Sequence, residues 1–267
     1  LTAPRRKFTM EPVRSFCKDS LAVRIYADRT AMGAAAARDG AALLRRLLAQ
    51  QDTVRAVFAA APSQNEFLEA LCAAPDIDWK RVTAFHMDEY VGLDAAAPQG
   101  FGNFLRARVF DRLPFGQVCY LNGNAPDIEA ECSRYAGLLA QAPIDIVFMG
   151  IGENGHIAFN DPPVAEFDDP AAVKVVALDE VCRNQQVHDG CFADIGQVPT
   201  HALTLTVPTL AGAKHHLCIV PAPTKAKAVR DTLEGPVSTA FPASILRTCP
   251  GAVLYLERES AQLLTEV

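Results

Sequence analysis

Four short stretches of this chain carry side chains able to do chemistry, and each follows an apolar, strand-like run. In "FHMDEYVGL" (85–93), Asp88 and Glu89 are adjacent carboxylates. Neighbouring residues of an extended chain point to opposite sides, so at most one of the pair enters a given cleft. Asp88 is a candidate proton carrier, since a desolvated carboxylate keeps its proton to higher pH; a capping or turn carboxylate is the plainer alternative. In "MGIGENGHIAFNDPP" (149–163), Gly150, Gly152 and Gly155 are interleaved with Glu153, Asn154 and His156. Glycine permits positive φ or a close backbone approach. Histidine titrates near neutrality, and Asn154 and Asp161 bracket this one as orienting partners. The glycines read as clearing space for a ligand that His156 faces.

The other two stretches suit an anion. "AAAPSQNEF" (59–67) places small residues, then Ser63 and Gln64, at the start of a helix. Backbone N–H groups and a hydroxyl there can meet a phosphate, although Ser63 as a simple N-cap explains the same residues. "IVPAPTKAKAVR" (219–230) puts Lys225 at a helix start. A cation in that position opposes the helix dipole unless an anion sits beside it; a solvated lysine is the alternative. His215 and His216 open a strand and read as surface or edge residues.

The elements that must position these residues alternate along the chain. Strand-like runs cover 21–28, 54–60, 81–87, 144–150, 172–178, 201–207, 215–220 and 252–257. Helical periodicity covers 31–50, a segment ending near "FLEALCAA", 101–113, 127–141, 223–234 and 242–247. Alternation with continuous apolar strands predicts an α/β fold. Its mostly parallel sheet is doubly wound and Rossmann-like, with helices on both faces. Ligands of such sheets bind beyond the C-terminal strand ends. No repeat or linker divides the chain, so residues 1–267 are expected to form a single domain. The more polar stretch 160–200 is a candidate mobile flap.

Composition bounds the function. The chain has 267 residues, is 50% hydrophobic and 21% charged, and carries a formal net charge of -6. Nothing in that balance favours nucleic acid or an anionic membrane, and no apolar run is long enough to cross a bilayer. The basic start, "LTAPRRKFTMEPVRSF", lacks the apolar core and cleavage site of a signal peptide; Met10 is a candidate start. Eight scattered cysteines form no C-x-x-C pair and no zinc-type spacing, and read as reduced core thiols of a cytoplasmic protein. The sequence leaves a homo-oligomer open.

"HMDEYVGL", "LNGNAPDIEAEC" (121–132) and "GIGENGHIAFNDP" together resemble the glucosamine-6-phosphate deaminase (isomerase) family, in the superfamily shared with 6-phosphogluconolactonase. The resemblance runs from about residue 54 to 257. It implies no metal, no cofactor, and an amino sugar phosphate substrate converted by a hydrolase or isomerase to ketose 6-phosphate and ammonia. It matches Asp88 to the acid/base group that moves a proton between C2 and C1, and His156 to the histidine that assists ring opening. Lys225 and Ser63 match phosphate-binding positions. Asn154 stands where the family usually has aspartate, and Asp161 where it has glutamate. "APSQ" replaces the usual Gly-Gly-Thr. The flap arginine falls near His188, while Arg183 matches an earlier arginine; Gln64, Glu89, Gly152 and Gly155 complete the implied contacts. Only Lys174 aligns with an activator site, so no allostery of that kind is expected. Galactosamine-6-phosphate deaminases are similar at Asn154 and at "STAFPAS" (238–244), which leaves the epimer open. A catalytically weak sugar-phosphate sensor and a lactonase are the remaining alternatives.

Overall fold

The computed structural model describes residues 10–265; the basic stretch at 1–9 lies outside them. The chain enters through β1 (Arg14–Lys18), β2 (Leu21–Tyr26) and the long helix α1 (Arg29–Gln50). The Asp28 carboxylate accepts from Ala31 N–H at 2.9 Å and starts that helix, a cap worth about 1 kcal/mol. Next come β3 (Val54–Phe58), α2 (Asn65–Cys72), β4 (Val82–His86), β5 (Asp88–Tyr90), α3 (Phe101–Leu105), β6 (Gln117–Cys119) and α4 (Ile128–Leu139). The second half holds β7 (Ile146–Met149), β8 (Val173–Ala177), α5 (Glu180–His188), β9 (His201–Leu205) and α6 (Val207–Ala211). It closes with β10 (His215–Val220), α7 (Ala226–Glu234) and β11 (Val253–Glu257).

Eight strands form one sheet in the order β1-β2-β11-β10-β7-β3-β4-β6, parallel throughout except for the β1–β2 pair. The two-residue period of its strands divides the core. Val54, Ala56 and Phe58 of β3, Phe148 of β7 and Ile219 of β10 face a cluster completed by α1, α2 and α3. Val57, Val147, Met149, Cys218 and Val220 from the same strands face a second cluster, completed by α4, α6 and α7. Helices therefore cover both faces, as the unbroken apolar strands require.

β3 and β7 are neighbours at the centre of the sheet, but the chain leaves them in opposite directions. α2 carries it from β3 outward to β4, while the strand beyond β7 on the other side is β10. Two diverging connections open a crevice beyond the C-terminal strand ends.

Several expectations need correcting. β8 and β9 do not join the main sheet; with β5 they make a separate three-stranded antiparallel sheet, order β5-β9-β8. The stretch 160–200 carries β8 and α5. The helix expected over 101–113 is α-helical only to Leu105 and continues as a π-turn over Arg106–Phe110. The segment Pro242–Thr248 is a 3-10 helix. His216 is not at the surface: β10 runs between β7 and β11, and the ring is 1% exposed with Nε2 2.9 Å from the Leu210 carbonyl. Among the described residues, no helix is long and apolar enough to cross a membrane.

Candidate active site

A cleft opens over β3, β4, β7 and β10, where ligands of such sheets bind. Each strand end supplies a piece of its lining: Ser63 and Gln64 after β3, Asp88 after β4, Gly152 and His156 after β7, Lys225 after β10. Phe101 of α3, and Gln185 and Gln186 of α5, close it from the side.

Asp88 reaches the cleft because the chain leaves β4 and crosses at once into the second sheet, where Asp88 pairs with Thr204. Burial, with the nearby Glu89 charge, pushes its carboxyl well above the usual carboxylate range. His86 braces it from behind. The His86 Nε2 accepts from Leu121 N–H at 2.9 Å, which leaves the proton on Nδ1 to donate to the Asp88 carbonyl at 2.9 Å. The Tyr135 hydroxyl accepts from His86 N–H at 3.1 Å and lies 2.9 Å from the His86 carbonyl. Burial lowers the His86 pKa to about 4, so the ring is neutral at physiological pH.

Glu89 points away from the cleft, as alternation requires. Its carboxylate accepts from Phe101 and Gly102 N–H at 3.0 and 2.8 Å, holding the start of α3. The expected substrate contact at Glu89 is therefore replaced by a structural one.

The His156 ring is set by two side chains. Its Nδ1 lies 2.9 Å from an Asp161 carboxylate oxygen and 2.8 Å from the Asn154 carbonyl oxygen. Those acceptors fix the proton on Nδ1 and leave Nε2 for the cleft. The Asn154 carbonyl also accepts from His156 N–H, while its amide donates to Asp161 at 2.9 Å and Asp179 at 3.1 Å. Burial pushes the Asp161 carboxyl up, but His156, Asn154 and the Asp179 N–H outweigh it and hold it below the ordinary range.

This geometry explains the asparagine. A carboxylate at 154 would face two others, Asp161 and Asp179, where the amide now donates to both. The charge that supports the imidazole comes from Asp161. Asn154 and Asp161 stand behind His156 and do not line the cleft themselves.

Gly152 serves the histidine rather than the ligand. A Cβ on Gly152 would lie 2.0 Å from His156 Cε1, so any side chain there would displace the ring. Gly155 turns the loop at φ +86°, a conformation natural to glycine.

At the opposite end, Lys225 is 4% exposed, and its ammonium has no hydrogen-bond partner among the described residues. Burial holds its pKa below the usual lysine range, against the pull of Asp189 and Glu153. Ser63 belongs to a 3-10 turn, Pro62–Gln64, and makes no side-chain cap there. The Gln64 amide donates to Ser63 Oγ and to the Ile219 carbonyl, both at 3.1 Å, tying that turn to β10.

Arg183 and His188 do not line the cleft. The Arg183 guanidinium donates to the Ile195 and Val198 carbonyls at 2.6 and 2.9 Å. His188 is exposed and stands 3.3 Å from Glu153. The residues of α5 that do reach the cleft, Gln185 and Gln186, and the relay's Asp179, carry no signal in the sequence beyond being polar.

A model of the family described as glucosamine-6-phosphate isomerases/6-phosphogluconolactonase matches residues 27–255. This chain belongs to that family. Within the family, the glucosamine-6-phosphate deaminase of Listeria innocua is 37% identical over 202 residues, 76% of this chain and 84% of the relative. That of Bacillus thuringiensis is 38% identical over 190 residues, 71% of each. The solved structure of a monomeric glucosamine-6-phosphate deaminase, described as a missing link of the NagB superfamily, superposes with a TM-score of 0.83. It is 30% identical and covers 90% of this chain and 99% of its own. The 6-phosphogluconolactonase of Thermotoga maritima shares the fold, with a TM-score of 0.72 at 20% identity over 89% of this chain and 99% of its own.

Proposed function

We propose that this protein isomerises and deaminates glucosamine 6-phosphate, giving fructose 6-phosphate and ammonia. The observation that carries the reading is one cleft that combines a buried, proton-retaining carboxylate, a charge-supported histidine and an unpartnered buried lysine. The named deaminase relatives, at 37–38% identity, support the same reaction.

Each group has one task in it. His156, through the free Nε2, takes the proton of the C1 hydroxyl and returns it to the ring oxygen as the C1–O5 bond breaks, and Asp161 stabilises the imidazolium that forms in between. Asp88, in its ionised form, takes the proton from C2 and returns it to C1; the burial that raises its proton affinity also makes that carboxylate a stronger base towards carbon. The C2–N bond is thereby left as an imine, which water cleaves to the ketone and ammonia. Lys225 and Ser63 hold the phosphate, so that the carbon skeleton lies across the Asp88 side of the cleft. Eight free cysteines agree with a reducing, cytoplasmic setting.

Ammonia release from glucosamine 6-phosphate and galactosamine 6-phosphate, with Asp88→Asn as control, tests the proposal. Turnover of the gluco sugar by the wild type alone is expected. An active Asp88→Asn protein would overturn the assigned proton path. Absence of ammonia with either epimer would overturn the reaction. Because the buried Asp88 carboxyl resists ionisation, its stability contribution is lost as pH rises through the elevated folded pKa. Asp88→Asn should therefore gain stability relative to wild type as the pH rises, read in urea melts at a series of pH values.

A further inference from the structure

The sugar-phosphate reading leaves one question about the anion end: what reaches it from α5. The cations of that helix do not, since Arg183 is spent on two carbonyls and His188 faces Glu153 at the surface. Gln185 is also engaged, accepting from Glu153 N–H at 2.7 Å and donating toward Asp189 at 3.3 Å. Gln186 differs. It is 7% exposed, lines the cleft, and its carboxamide makes no hydrogen bond to the protein among the described residues. It also lines an adjoining cavity together with Ala60, Ala61 and Pro62, the loop that presents Ser63. Its amide is not sealed off from the cleft, so a ligand that enters there can meet it. Gln186 thus borders both the loop that carries Ser63 and the cleft that Ser63 and Lys225 line.

We infer that the Gln186 carboxamide donates to the phosphate group of the substrate, so that the anion is held by one buried cation, Lys225, and neutral donors from Ser63 and α5. This rests on the sugar-phosphate reading of the cleft. A neutral donor suits the place: Lys225 already has Asp189 and Glu153 as electrostatic neighbours, and an amide adds a hydrogen bond without adding a second charge to desolvate.

The test measures binding of inorganic phosphate by calorimetry to wild type, Gln186→Leu and Gln186→Glu, with far-UV melts confirming that each is folded. Gln186→Leu should weaken phosphate about 3–10-fold, the loss of one neutral hydrogen bond. Gln186→Glu should weaken it more than about 10-fold, because a carboxylate would then face the anion. In turnover assays Gln186→Leu should raise KM for the sugar phosphate by the same factor as its phosphate Kd, with kcat nearly unchanged. With unphosphorylated glucosamine the two proteins should be alike. Phosphate affinity unchanged in both variants would overturn the inference, as would a loss that persists with glucosamine, which would move Gln186 to a sugar hydroxyl. Phosphate binding without ammonia release would instead remove the proposed reaction and leave the Gln186 contact standing.

Discussion

Around His156 the imidazole, the Asn154 amide and the Asp161 carboxylate hold one another at 2.8–2.9 Å, whereas at Lys225 a buried ammonium has no hydrogen-bond partner among the described residues. One end of the cleft is hydrogen-bonded within the protein; the other, on the proposed reading, is completed by the substrate's phosphate. A relay that must act in the transition state gains from being fixed in advance, because no reorganisation is then needed at the moment of reaction. An anion site gains from the opposite arrangement. Its desolvated charge is a standing cost that the phosphate removes, so binding energy is concentrated on the ligand that carries the phosphate.

Removing the charge at the complete end should have the largest effect. Asp161→Asn keeps a hydrogen-bond acceptor near Nδ1 but no longer stabilises an imidazolium, and kcat should fall about 10²–10³-fold with KM little changed. Its companion, Asn154→Asp, places a third carboxylate against Asp161 and Asp179 and should lower both kcat and thermal stability. A fully active Asn154→Asp protein would break the account of why asparagine stands there.

At the incomplete end the expected pattern is reversed. Lys225→Met should raise KM about 10–10²-fold with a smaller change in kcat. It should also stabilise the unliganded protein by about 1 kcal/mol, since an unpaired buried charge is replaced by an apolar chain. Phosphate should raise the melting temperature of wild type and not of the variant. A destabilised Lys225→Met protein would mean that the ammonium has an internal partner in solution, and the contrast between the two ends would fail.

How much of this was legible beforehand differs between the same regions. The strands beneath the cleft, β3, β4, β7 and β10, are short apolar runs closed by Gly, Pro or polar residues, and local pattern suffices for them. Asp88, His156 and Lys225 stand directly beyond those runs, so their convergence follows from the strand-end rule. The antiparallel sheet is different. β8 and β9 have the same apolar character as the central strands, and pairing with three-residue β5 is a long-range choice that no window reveals. Side-chain direction was equally hidden. Arg183 and Gln186 lie three residues apart on α5, and only the packing of that helix decides which of them meets the cleft. Gly152 was read as making room for a ligand, while the contact that demands it is the His156 ring 2.0 Å from its missing Cβ.

The carboxylate between the two ends belongs with the finished side, and acid should expose that. His86 is buried with a pKa lowered to about 4, below its unfolded value near 6.5. The unfolded chain therefore binds the extra proton first. The stability tied to neutral His86 is present above about pH 6.5 and is lost as the pH falls toward about 4, on the order of 3 kcal/mol. Protonation would set a Nε2 N–H against the Leu121 N–H and break the brace behind Asp88. His86→Gln, which can still accept from Leu121, should flatten this slope in urea melts taken from pH 7 to 4. A slope unchanged in the variant would assign the acid loss to other groups.

The smallest effect is expected where the incomplete end stores strain in its backbone. Ala222, two residues past β10, has φ 85° and ψ 144°, a region close to glycine's alone. The surroundings enforce it: Ala222 N–H donates to a Glu257 carboxylate oxygen at 3.0 Å, and the same carboxylate accepts from Glu259 and Ser260 N–H at 2.6 and 2.9 Å. Pro223 follows directly and begins the turn that delivers Lys225. Ala222→Gly removes the Cβ penalty but widens the freedom of the unfolded chain, and the net gain should be about 1 kcal/mol, or 2–4 °C in melting temperature. If the Glu257 carboxylate alone holds the turn, KM for the sugar phosphate will stay within about twofold of wild type. If KM instead rises severalfold as stability improves, the methyl group is part of what aims Lys225, and the strain serves binding in the way the unpaired ammonium does.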